Sequence, residues 1–189
     1  MNKTSDKRSI ILGATLRLIN ENGFHGTAMS KIAREAGVSA GIIYHYFESK
    51  DDLILELYNS LIKELMNALL KGFDNSKSLE DQIKKLFEDI FRYNLANPQA
   101  AMFIRQYKAS PYYTHESNSQ NQQYIDPIVS CVQKAKKQGI IKDLPDTVIA
   151  VLTMDVAALL AQRYSAGLVE LNDELINEII GIIWDALKK

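Results

Sequence analysis

Two short stretches of helical periodicity meet at Gly37-Val38-Ser39, inside the segment that runs from Thr27 to Lys50. A helix that stops so close to the start of the next needs a residue at ease in the left-handed backbone region, and Gly37 supplies it. Ser39 then stands where the following helix wants a capping hydroxyl, and Thr27 is placed to cap the preceding one. Met29, Ile32, Ala33 and Ala36 repeat at i, i+3, i+4 and i+7, while Ile43 and Phe47 lie four apart. Residues so spaced share one buried face. The pattern predicts two helices folded on a common core, with Ala40, Gly41, Tyr44 and His45 turned outward. Such a hairpin serves as plain scaffold as often as it reads DNA, and spacing alone leaves both readings open.

The flanks extend the helical reading. Ile11, Ala14 and Leu18 mark a first helix from about Ser5, with Ser5 as its cap, to Glu21; Asn22-Gly23 stops it and Phe24 plugs the corner. Ser49 and Asp52 resemble a capping box for a long fourth helix that reaches Lys71 before Gly72. Further starts fall at Ser78, at Asn97-Pro98 and at Asn172, and Asp126-Pro127 should start or kink another helix. Gly139 followed by Ile140 reads as a Schellman cap. Residues 145–168 form one helix apolar nearly all round, and such a helix must be covered on every side. The count is nine helices and no convincing strand, an all-α chain of one or two domains.

Several functions are disfavoured by what the chain carries. No run approaches the ~18 consecutive apolar residues of a membrane span, and Arg17 interrupts any signal-peptide pattern at the start. Cys131 is the lone cysteine and fits a reducing cytoplasm; its apolar helical setting suggests a buried thiol. His25, His45 and His115 lack metal-ligand spacing. No Gly-rich phosphate loop or nucleophile elbow is present, so neither a metal, a cofactor nor an enzyme is expected. Charge is uneven: residues 1–50 hold seven Lys/Arg against four Asp/Glu, and residues 51–189 hold fifteen against nineteen. A basic head on an acidic body suits a head that meets phosphate.

A helix that enters the major groove by its N-terminal end must be slim at the tip, which Ala40 and Gly41 satisfy. Ser39 and Thr27 hydroxyls, with helix N-termini, suit phosphate oxygens. Tyr44, His45 and Tyr46 add donors, Lys50 a point charge, and Ala40 and Ile42 methyl contacts.

The segment resembles the TetR family of transcriptional regulators. The likeness is carried by Gly23-Phe24, Gly26-Thr27, Ile32-Ala33, Ala36-Gly37-Val38-Ser39, Gly41, Tyr44, Tyr46-Phe47, Ser49-Lys50 and Leu53. It implies a DNA-binding head over residues 1–50, its motif at about 28–47, and a ligand-binding and dimerisation body over 51–189. Thr27, Ser39, Tyr44, Tyr46 and Lys50 would then contact phosphates, and residues 40 to 42 would face bases. Ile42 departs from the small or hydroxyl-bearing residue common there, so readout should lean on thymine methyls and DNA shape. The likeness also implies a homodimer through the last two helices. Leu152, Val156, Leu159, Leu160, Ile176, Ile179, Ile180, Ile183, Trp184 and Leu187 are the candidate contacts.

It further implies an effector pocket in the body. Leu61, Phe87, Phe91, Met102, Phe103, Tyr107, Tyr124, Ile128 and Met154 are candidates that would favour a flat apolar ligand; stripes at helical spacing are more often ordinary core. Arg105 and Arg163 can meet an anionic ligand or pair with Asp155 or Glu88, and structural pairing is the reading taken. Lys134, Lys136 and Lys137 read as a solvated helix end. The function expected is a cytoplasmic regulator, a repressor released from a palindromic operator by a small, mostly apolar ligand. The alternatives are a helical dimer that binds a protein partner without DNA, or an activator of the same family.

Overall fold

The computed structural model describes residues 3–74, 76–114 and 121–189, with side chains from residue 7 on. Nine helices fill them: α1 Lys3–Gly26, α2 Met29–Glu35, α3 Ala40–Tyr46, α4 Lys50–Lys71, α5 Leu79–Ala96, α6 Pro98–Lys108, α7 Gln122–Lys137, α8 Asp146–Ser165 and α9 Asp173–Leu187. The one β-type pairing among them is an isolated bridge between Ile141 and Lys188.

Many helix boundaries follow from single residues. Ser49, Ser78 and Asn172 each accept a hydrogen bond from a first-turn amide, those of Asp52, Asp81 and Leu175. Gly37 and Gly139 both sit at positive φ, and the next residues bond back to Ala33 and Ala135 as a Schellman cap requires. Pro127 falls inside α7, not at its start. The helix α1 begins at Lys3, ahead of the expected Ser5, whose side chain lies outside the described residues, as does His115. Gly23 breaks α1 near its end with φ 70° and ψ 175°.

The centre of the molecule is α4. Leu53, Ile54, Leu57, Tyr58, Leu61, Ile62, Leu65, Met66 and Leu69 are all buried along it, because α1, α5, α6 and α7 pack around it. Full burial of one such side chain is worth ~1.5–3 kcal/mol, so α4 cannot shift without moving its neighbours. The helix α1 lies against α2, α4 and α6 together and joins the small N-terminal hairpin to the rest. Asn20 Nδ2 donates to Gln99 O at 2.9 Å across that joint. Arg8 bonds to Glu56 while its guanidinium lies 5.6 Å over the Phe47 ring.

The helix α8 is long and apolar enough, by length and composition alone, to cross a membrane, although no run in it approaches ~18 consecutive apolar residues. Here it packs on α5 and α6 and carries Asp155 and Arg163. It is not uniform: Val151–Asp155 forms a π-helical turn between two α-helical halves. Nor is it covered on every side, since Val148, Val151 and Leu159 remain exposed.

Candidate nucleic-acid interface and effector site

The hairpin core is built as its spacing requires. Ile32, Ile43 and Phe47 are buried and Ala33 nearly so, leaving Ser39, Ala40, Gly41, Tyr44 and His45 exposed. Tyr44 is 55% exposed, more than any other tyrosine of the core and surface hydrophobics. Gly41 does not have a positive φ, and a Cβ there would meet nothing closer than Ser39 Oγ at 3.9 Å. No internal packing therefore demands glycine at 41, and its smallness faces outward. Ser39 occupies the cap position of α3, yet its side chain makes no capping bond. Its hydroxyl and the Ala40 and Gly41 amides are thereby turned to an outside acceptor, while the Ile42 amide donates to Ser39 O at 3.0 Å.

Four expected contacts stand differently. Thr27 is fully buried and its hydroxyl donates to Gly23 O at 2.8 Å. The break at Gly23 leaves that carbonyl without its helical partner, and Thr27 supplies one. The cap position of α2 passes to Ala28, which has no side-chain bond to give. Thr27 is thus an internal brace, and its side chain is not presented to phosphate. Ile42 is half-buried and packs on the hydrophobic core, so only Ala40 and Gly41 of residues 40–42 stand clear. Lys50 Nζ donates to Phe24 O at 2.5 Å; an ammonium has three donors, so two remain. Tyr46 is half-buried, edge-on to His45 at 5.2 Å.

Two residues not expected at the site, Phe24 (read only as a corner plug) and Arg8, join this surface to the body. Phe24 receives Lys50 through its carbonyl and touches Phe103 and Tyr112 through its ring, at 5.9 and 5.1 Å between centroids. Arg8 lies between Phe47 and Glu56. The stopping role of Asn22-Gly23 hinted at the corner that Phe24 occupies; nothing in the sequence marked Arg8.

In the body, the expected pocket residues mostly fill space. Leu61, Phe87, Phe91, Phe103 and Tyr107 are buried in the core cluster, and Ile128 packs against it. Tyr107 stacks on Tyr58 at 4.2 Å and donates to Tyr112 O at 3.0 Å. Burial, with Tyr113 and Tyr107 adding, holds the Tyr58 hydroxyl protonated far above the ordinary tyrosine range. Met102 lies 3.9 Å from Gln162 Nε2. Met154 borders a cavity of only about 30 Å³, and Tyr124 borders a polar surface groove beside Arg8 and Lys63. A larger cavity of about 660 Å³ opens at the far end of the body and contains none of these nine.

The expected ion pairs are also redistributed. Glu88 pairs with Arg92 and Lys85, so it is not free for Arg105; among the described residues Arg105 and Arg163 form no ion pair. Lys136 is not solvated: its side chain is 7% exposed and bonds to Asp146 and Leu144 O. Of the candidate dimer contacts, Ile176 and Leu187 are buried within their own chain and have no face left for a partner. Leu159 is exposed, and Leu152, Val156, Leu160, Ile179, Ile180, Ile183 and Trp184 are half-buried. Val148, Val151 and Ile182, the last 61% exposed, are further exposed apolar residues of these two helices that the sequence reading did not include.

A slim helix tip held proud of a braced partner helix, on an all-helical body, defines a helix-turn-helix DNA-binding protein. The domain described as "Bacterial regulatory proteins, tetR family" matches residues 11–57, and "Tetracyclin repressor-like, C-terminal domain" matches residues 78–188. The chain belongs to the TetR family of transcriptional regulators, and it is no enzyme. It is 28% identical over 185 residues to an uncharacterized HTH-type transcriptional regulator of Haemophilus influenzae, covering 98% of this chain and 97% of that protein. A TetR family transcription regulator from Marinobacter aquaeolei superposes with TM-score 0.91 at 28% identity over all of both chains. A putative TetR family regulator from Vibrio parahaemolyticus gives 0.78 at 28% identity, covering 97% of this chain and 99% of that one.

Proposed function

We propose that two copies of this chain join through α8 and α9 and bind a two-fold operator, and that a small molecule in the body releases them as a repressor is released. The carrying observation is the apolar surface of Val148, Val151, Leu159 and Ile182, left open by a single chain. Beside Ile182, Gly181 has no atom within 4 Å of where a Cβ would stand, so a neighbouring helix can approach closely. A two-fold dimer presents two heads, and half-sites about 34 Å apart are the geometric match. In each head, residues 1–50, Ser39, Tyr44, His45, Tyr46 and Lys50 grip the backbone while Ala40 and Gly41 enter the groove. The body, residues 51–189, carries the signal in the cytoplasm.

Release requires the effector to bind one arrangement of the heads better than the other. The natural lever is α4, since its first residue, Lys50, holds the Phe24 corner and its far end reaches the open cavity. The test is a mobility shift with DNA from upstream of the chain's own coding region, over a salt series. A steep fall of affinity with salt is expected; no shift even at low salt would instead favour a dimer that binds a protein partner.

A further inference from the structure

We propose that the open cavity at the far end of the body binds an anionic amphiphile, an alkyl tail bearing one carboxylate or phosphate. The inference rests on the effector-responsive reading above and gives it a place and a chemistry.

The cavity, about 660 Å³, falls within the range of small-molecule sites. Its floor comes from three directions: Leu70 in the last turn of α4, Phe73 just beyond, Leu79 at the start of α5, and Pro127 and Cys131 on α7. Leu70, Phe73 and Leu79 are left half-exposed, apolar surface that a tail would cover. Burial pushes the Cys131 thiol up, with the Lys134 charge pulling the other way, so the thiol stays neutral and serves as apolar wall.

The rim has the opposite chemistry. Lys77 and Lys134 stand on it with Gln82 and Gln138, and no carboxylate is among the lining residues. Elsewhere in the body Lys84, Lys85 and Lys136 each hold a carboxylate, whereas Lys77 and Lys134 have no ion-pair partner among the described residues. Asp74, in the same loop as Lys77, is engaged by the Ser76 amide and hydroxyl. Gln82 Nε2 donates to Lys77 O at 3.1 Å and ties the loop to α5. Two ammonium groups without ion-pair partners beside Leu70, Phe73 and Leu79 select a negative head with an apolar tail, and reject a cationic one. An occupant seated there presses between the end of α4 and α7.

Calorimetry on the full chain, with monomeric ligands, tests this. Decanoate and decyl phosphate should bind at least tenfold tighter than decan-1-ol, and decyltrimethylammonium not measurably. The double substitution Lys77→Gln with Lys134→Gln should bring decanoate down to the level of the alcohol. Ser130→Trp, at an exposed position on the cavity wall, should abolish binding of both. Equal affinity for decanoate and decanol, a head preference that survives the double substitution, or no binding by the wild-type chain would overturn the proposal. Mobility shifts without any ligand, run on the same samples, report folding and DNA binding separately; their failure would count against the regulator reading, not against this site.

Discussion

The helices α3 and α8 both leave one face open to solvent, and the two faces have opposite chemistry. On α3 the open residues are small or carry donors, Ser39, Ala40, Gly41, Tyr44 and His45. On α8 they include the apolar Val148, Val151 and Leu159 beside the charged Asp155, and on α9 Ile182 is exposed too. Several large apolar residues left open on two helices suit a partner surface better than water. The first face suits a charged, hydrated lattice of phosphates, and its binding should weaken with salt. The second suits another apolar surface and should be nearly indifferent to salt. The contrast assigns the two faces different chemistry, and substitution can tell them apart.

The strongest way to break the contrast is to charge the apolar face. Val151→Asp with Ile182→Asp should cost ~3–5 kcal/mol of association by leaving buried charge unpaired, seen as monomers in sedimentation and as loss of the DNA shift. A dimer that survives would move the interface elsewhere. Next, Lys50→Ala should weaken operator binding about tenfold and flatten the salt dependence by ~0.9 per lost phosphate contact, leaving sedimentation unchanged. Tyr44→Phe removes one exposed hydroxyl and should cost ~1 kcal/mol of DNA affinity, read by titration at fixed salt. Uracil in place of operator thymines should cost at most ~0.8 kcal/mol per contacted methyl; unchanged affinity would remove Ala40 from direct readout. Smallest of all, Arg8→Gln should lower thermal stability by ~0.5–1 kcal/mol, since the ion pair with Glu56 is 40% exposed at both ends and such pairs are weak. Denaturant melts measure that loss.

What the sequence made legible was local. A left-handed glycine at 37 or 139, and a side-chain cap at Ser49, Ser78 or Asn172, each depend on residues within one helical turn, so the rules for caps apply without knowing the fold. Thr27 shows where locality fails. It satisfies the cap rule by itself, but the backbone break at Gly23 creates a stronger need four residues upstream, and the hydroxyl turns inward. The body candidates turn on a different point. Phe103 and Tyr107 lie on apolar stripes, and a stripe says that a residue is inward without saying whether neighbours close over it; Tyr58 and Phe24 do. The rim of the open cavity was invisible for the same reason, because Lys77 and Lys134 come together only when α5 and α7 pack. Lys136 reads like its lysine neighbours until Asp146, ten residues on, folds back to meet it.

The π-helical turn at Val151–Asp155 has a consequence for how α8 is to be aligned and engineered. A regular helix advances about 100° per residue, and a π turn holds one residue more than an α turn would. The halves before and after it are therefore out of phase on a single helical wheel. That offset explains why residues 145–168 look apolar all round when laid on one wheel, although each half has its own inner and outer side. It also means that deleting one residue from 151–155 would restore a continuous α-helix and keep Leu159 and all that follows on their present faces, whereas straightening the turn without the deletion would rotate them by about 100°. Comparisons of this helix with its relatives should therefore place their gap here, and segments grafted into α8 should be joined on one side of the turn only.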